Sequence, residues 1–91
     1  MTVRIDIIAL ELKPGDGVLK VGTAVQLNLF ARNRSGRLSL IPGNMAAWSS
    51  SDNQVGDVNR QGRLTPRRAG SVTITASTTD HRITAAFTVV D

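Results

Sequence analysis

Few residues of this sequence can carry chemistry, and their types exclude most reactions. The single histidine, His81, stands between Asp80 and Arg82. A serine or threonine nucleophile needs a base within hydrogen-bond reach. His81 is the one imidazole on offer, and Thr79-Asp80-His81 reads as a solvated hairpin turn. Carboxylate-pair catalysis needs two acids held together in a pocket, whereas Asp52, Asp57 and Asp80 are far apart and read as turn or strand-end residues. The absence of cysteine removes thiolate chemistry, disulfides and Cys-ligated metals. No glycine-rich loop opens a helix, so no phosphate cradle is expected. The reading is of a non-enzyme: no catalytic residue and no cofactor is assigned. Calcium takes about six to eight oxygen ligands, several of them carboxylates. Asp52, Asn53, Asp57 and Asn59 form the one oxygen-rich neighbourhood, with Arg60 and Arg63 beside it. Any calcium site near Asp52–Asn59 is therefore expected to be weak, and turn chemistry accounts for the same residues.

The charge is unusual in kind. Nine of the eleven cationic residues are arginines, at positions 4, 32, 34, 37, 60, 63, 67, 68 and 82, and the formal net charge is +4. A basic balance is a first flag for nucleic-acid binding. Against it, the arginines are scattered, and two Phe, one Trp and no Tyr are a poor supply of rings for stacking either sugars or bases. An Arg-rich nucleic-acid-binding domain is thus a secondary alternative. Asn33-Arg34-Ser35 fits an N-glycosylation sequon, a tripeptide that also arises by chance.

The elements that must position these residues follow from the apolar pattern, which has a period of two. Val25, Leu27, Leu29 and Ala31 alternate with Gln26, Asn28, Phe30 and Arg32; Val72, Ile74 and Ala76 alternate with threonine and serine; Ile83, Ala85, Phe87 and Val89 alternate with Thr84, Ala86, Thr88 and Val90, and Ile8, Leu10 and Leu12 alternate upstream with Ala9, Glu11 and Lys13. Such alternation is the pattern of half-buried strands. Turns are set by Pro14-Gly15-Asp16-Gly17, Gly22, Arg34-Ser35-Gly36, Pro42-Gly43-Asn44, Gln61-Gly62 and Ala69-Gly70, where glycine, asparagine and aspartate accept the backbone angles required. The spacing predicts an all-β chain of about seven or eight strands, near 3–10, 18–21, 23–32, 37–41, 45–49, 55–59, 62–65, 71–78 and 82–90, some of the shortest joining as one bent strand. Residues 1–91 make a single domain, read as a Greek-key β-sandwich without a disulfide. With one core and no staples, its stability is expected on the order of 5–14 kcal/mol. Trp48, flanked by Ala46, Ala47 and Ser49 to Ser51, is expected as the central plug between two sheets. Val21, Leu27, Val58, Leu64, Ile74 and Phe87 complete the predicted core. No apolar run approaches the ~18–20 residues of a membrane span, and Arg4, Asp6 and Glu11 interrupt what a signal peptide would need.

These segments resemble the bacterial immunoglobulin-like domains of group 2. Leu10-Glu11-Leu12-Lys13-Pro14 looks like the family's opening strand, and Leu19-Lys20-Val21-Gly22-Thr23-Ala24-Val25-Gln26-Leu27 like its next run. Trp48-Ser49-Ser50-Ser51-Asp52, Val55-Gly56-Asp57-Val58-Asn59, Gly62-Arg63-Leu64-Thr65 and Ala69-Gly70-Ser71-Val72-Thr73-Ile74-Thr75-Ala76 follow in the family's order. The resemblance spans about Ile8 to Val90. It implies an immunoglobulin-like sandwich of the kind found in intimin- and invasin-type adhesins and in phage tail and capsid proteins. The chain departs from the family at Leu38–Met45, which is more apolar than the expected spacer, and at Arg67-Arg68.

The functional expectation is a display or adhesion module that contacts a protein or a surface glycan and oligomerises through assembly. It places the chain in a phage virion, as a tail or capsid-decorating component, if it is a complete protein. The alternative is one repeat of a large secreted adhesin at the bacterial surface. If Leu27 and Leu29 face inward, Phe30 faces outward. The candidate interface is therefore Phe30 with Leu38 and Leu40, rimmed by Arg32, Arg34 and Arg37 and supplemented by Arg67 and Arg68. Apolar groups gathered on a surface mark a contact site, and the arginines suit acidic partners.

Overall fold

The computed structural model describes residues 7–79 and 81–91. Residues 3–6 of the expected first strand, and Asp80 of the expected hairpin, lie outside them. The strands are β1 (Ile7–Lys13), β2 (Asp16–Lys20), β3 (Val25–Gln26), β4 (Asn28–Asn33), β5 (Leu38–Ile41), β6 (Ala47–Ser50), β7 (Gly56–Val58), β8 (Arg63–Pro66), β9 (Gly70–Ser77) and β10 (Arg82–Val90). Among the described residues, the one helical segment is a single 3-10 turn at Gly43–Met45.

These strands form three sheets, ordered β1-β4-β5, β3-β8-β7 and β2-β10-β9-β6. All pairings are antiparallel except β2 with β10. β3 and β4 are successive stretches of one bent strand. At the bend the Leu27 N–H donates to the Gly62 carbonyl at 2.9 Å, so the two three-stranded sheets run on from one another. Their inward residues Leu10, Leu12, Leu27, Leu29, Ala31 and Leu64 meet Val72, Ile74, Ala76, Ala85, Phe87 and Val89 of the four-stranded sheet in one buried cluster. The architecture is all-β, with sheets packed over a shared core in the manner of a β-sandwich.

The period-two pattern explains this burial strand by strand. On β9 and β10, register pairs Val72 with Phe87 and Ile74 with Ala85, placing all four on the core face, while Thr73, Thr75, Thr84 and Thr88 turn away. The alternation fails on β1. A register shift between Ile7 and Ala9 inserts an unpaired residue, as a bulge does. Ile8 is consequently 53% exposed although Leu10 and Leu12 are buried.

Two expectations about the core need correction. Trp48 is half-buried at the core margin, not its centre. Its strand, β6, is the outermost of the four-stranded sheet, so neighbours pack on one side only. The indole rests on Gly62, where a Cβ would lie 2.6 Å from Cζ2, and its Nε1–H donates to the Gly43 carbonyl at 2.8 Å. Val58, on the short outer strand β7, is half-buried for the same reason. The second correction is Val21, which sits in the turn after β2 and is exposed. Leu27, Ile74 and Phe87 are buried, and Leu64 and Ile74 fill the centre.

Candidate interaction surface

Because Leu29 and Ala31 point into the core, Asn28, Phe30 and Arg32 of β4 point out. Register sets Phe30 between Glu11 of β1 and Leu40 of β5, and Arg32 between Ala9 and Leu38. Directly opposed side chains on one face lie close enough to pack. Phe30 is half-buried, with the Lys13 ammonium 5.6 Å from its ring centroid. That cation–π contact is worth about 0.5–1 kcal/mol at an exposed site. Leu40 is 61% exposed, and Leu38 is half-buried. β5 is the outer strand of its sheet, with no strand beyond it among the described residues.

The hairpin joining β4 to β5 carries Arg34 and Arg37, both exposed. Asn33 builds this turn: its Oδ1 accepts the backbone N–H groups of Ser35 and Arg37, each at 3.0 Å. Short amides favour such turns because they bond the backbone two residues on. These two guanidinium groups, in no ion pair among the described residues, thus stand at the end of the Phe30–Leu40 patch.

Arg32 is less available, since it pairs with Glu11. Both partners are partly solvated (44% and 31% exposed side chains), and pairs of that kind contribute roughly 0–1 kcal/mol. Glu11→Gln should therefore change the unfolding free energy by less than about 1 kcal/mol in urea titrations. A larger loss would mean that the pair holds β1 to β4.

Arg67 and Arg68 are not brought to this surface. They follow β8, where the Pro66 carbonyl accepts from the Gly22 N–H at 2.9 Å. Gly22 precedes β3, whereas Phe30 lies on β4 beyond the bend at Leu27 and in a different sheet from β8. Arg67 is also tied to Asp57 at 3.1 Å.

The remaining candidate groups serve local structure. The Asp52 Oδ1 accepts from the Gln54 N–H at 2.9 Å, and the Asn59 Oδ1 accepts from Gln61 and Arg63 at 2.9 and 3.0 Å. With Asp57 Oδ2 on Arg67, one oxygen each of Asp52, Asp57 and Asn59 is engaged in a turn or an ion pair. Among the described residues, no three or more His, Asp or Glu side chains gather as a metal site would require. His81 is half-buried and lines a shallow, open depression with Ser77, Thr78, Thr79 and Arg82. No helix among the described residues is long and apolar enough to cross a membrane.

Sequence reasoning missed two arrangements. The Lys13–Phe30 and Glu11–Arg32 contacts depend on the register between β1 and β4, which alternation alone does not specify. The second is a groove lined by Asn44, Ala46, Ala47, Trp48, Val58, Asn59 and Arg60, which exists only because β6, the 3-10 turn and the turn after β7 converge. No protein-family model matches the sequence, and no curated protein matches it significantly.

Proposed function

We propose that the chain is a non-catalytic immunoglobulin-like contact module, of the group 2 bacterial type its motifs resemble, that binds a protein partner through the Phe30–Leu40 surface. The observation carrying this reading is the cross-strand pair itself. Phe30 and Leu40 oppose each other on a solvent-facing sheet surface, Leu40 is 61% exposed, and Arg34 and Arg37 stand at the adjoining turn. An apolar patch rimmed by charge is the usual anatomy of a contact surface. The guanidinium groups favour an acidic rim on the partner. The immunoglobulin-like part of the reading is supported by the division of the first segment: β1 pairs antiparallel with β4 in one sheet, while β2 crosses to the other and runs parallel to β10.

A virion component is the setting that the resemblance favours, with an adhesin repeat as the alternative. Leu40→Asp and Phe30→Ser variants, tested for co-sedimentation with phage particles, address both the surface and the setting. Leu40→Asp should shift thermal unfolding by no more than a few degrees and abolish co-sedimentation. Phe30→Ser, which also removes the Lys13 contact, should cost about 1 kcal/mol and weaken attachment. Unchanged attachment of both variants would remove this surface from the function. Recovery of the native segment only within a much larger secreted species would favour the adhesin reading.

A further inference from the structure

Of the three aromatic residues in the chain, Phe87 is buried and Phe30 lies under Lys13, whereas Trp48 lines a groove. The indole is held in place on two sides. Gly62 packs against its six-membered ring, and the Nε1–H is fixed by the Gly43 carbonyl at 2.8 Å. The ring is therefore anchored on two sides, and half-buried rather than closed over. Ala46, Ala47 and Val58 extend the apolar floor, and Asn44, Asn59 and Arg60 supply the polar groups. The Asn59 Oδ1 is committed to the Gln61 and Arg63 N–H groups, which leaves its amide hydrogens to donate elsewhere. Arg60 is the one charged residue lining the groove, and among the described residues it takes part in no ion pair.

We infer that this groove binds a sugar residue bearing a carboxylate, one ring of an acidic glycan. The C–H face of a pyranose stacks on a preordered indole, carboxamides suit neighbouring hydroxyls, and a guanidinium pairs with a carboxylate in a bidentate geometry. The floor is apolar with a few convergent polar groups, the general make-up of a small-molecule site. Single-stranded nucleic acid fits less well, because such sites stack successive bases on several rings along a track of cations, and here there is one of each. Binding by one ring is expected in the millimolar range, on the order of 1 mM, and useful in a multivalent setting. The inference rests on the reading of the chain as a contact module, and it adds a ligand class and a second surface.

The test uses fluorescence of the whole chain. Emission excited at the indole band reports Trp48 alone, because the sequence has one Trp and no Tyr. Tetragalacturonate, maltotetraose and an oligothymidylate serve as probes. Tetragalacturonate should give a saturable emission change at least about tenfold tighter than maltotetraose, the equivalent of one good charge-assisted contact. Arg60→Ala, an exposed substitution that should leave thermal unfolding unchanged, should reduce that preference to about twofold or less. Absence of a saturable change, an unchanged preference in Arg60→Ala, or tighter oligothymidylate binding that falls steeply with salt would each overturn the inference. Leu40→Asp should retain saccharide binding in full. Attachment unchanged in Leu40→Asp while the native chain binds the saccharide would thus defeat only the Phe30–Leu40 reading, and attachment lost in Leu40→Asp with no saccharide binding by the native chain would defeat only the groove.

Discussion

Ile74→Ala should destabilise the protein by about 3–5 kcal/mol, the usual cost of truncating a large buried aliphatic side chain. Ile74 has no exposed surface. It lies on β9, between β10 and β6, with Ala85 opposite on one side and Ser50 on the other. Those neighbours are small and cannot swing in to fill a cavity, so the upper part of the range is expected. Against a total stability on the order of 5–14 kcal/mol, this removes a large fraction. At roughly 4–8 °C per kcal/mol for a domain of this size, the melting midpoint should fall by more than about 12 °C. Denaturant and thermal unfolding of the variant measure this directly. A loss below about 1.5 kcal/mol would mean that the sheets close over the gap and that the core is less tightly packed than its burial indicates.

Gly62→Ala should cost about 3 kcal/mol and, unlike Ile74→Ala, should change the environment of Trp48. Gly62 has φ +80°, a conformation that costs a side chain roughly 1–2 kcal/mol. Its new Cβ would lie 2.6 Å from Cζ2 and 2.9 Å from Cη2 of Trp48, so the indole must move. Moving it disturbs the Nε1 hydrogen bond to Gly43. The backbone cannot yield instead, because the Gly62 carbonyl accepts from Leu27 and its N–H donates to the Asn59 carbonyl. The emission maximum should shift to longer wavelength in the folded variant. Gly22→Ala is the matched control, with φ +87° and open space around the added carbon. It carries backbone strain alone, partly offset by the lower entropy of its unfolded chain, and should cost about 1 kcal/mol with Trp48 emission unchanged. Equal losses at the two glycines would show that the indole adapts freely, and would weaken the case for a preordered groove.

The strand alternation was legible because it rests on local geometry: successive side chains on an extended backbone point to opposite sides. That rule alone separates Leu29 and Ala31 from Phe30 and Arg32, and Ile74 from Thr73 and Thr75. Glycine at the turns follows from a separate local rule, its tolerance of positive φ. Neither rule has information about which strand is central and which lies at an edge. Trp48 illustrates the limit. The largest apolar side chain, framed by small residues, reads as a central plug, yet β6 is an outer strand and the ring ends half-buried over Gly62. Ile8 shows a second limit, since a single inserted residue reverses the phase of every position before it.

The residues alone established that the chain is built of strands, that Leu27, Ile74 and Phe87 face its core, and that histidine- and cysteine-based chemistry has little to draw on. All three follow from residue type and spacing, which act over one or two residues. The tertiary structure alone decided which residues share a surface. Cross-strand register brought Leu40 opposite Phe30 and Lys13 over its ring, separated Arg67 and Arg68 from both, and joined Trp48 to Asn44, Asn59 and Arg60 across three segments. Register and sheet order are set by the simultaneous burial of many side chains from distant parts of the chain, a cooperative condition that no local pattern of residues encodes.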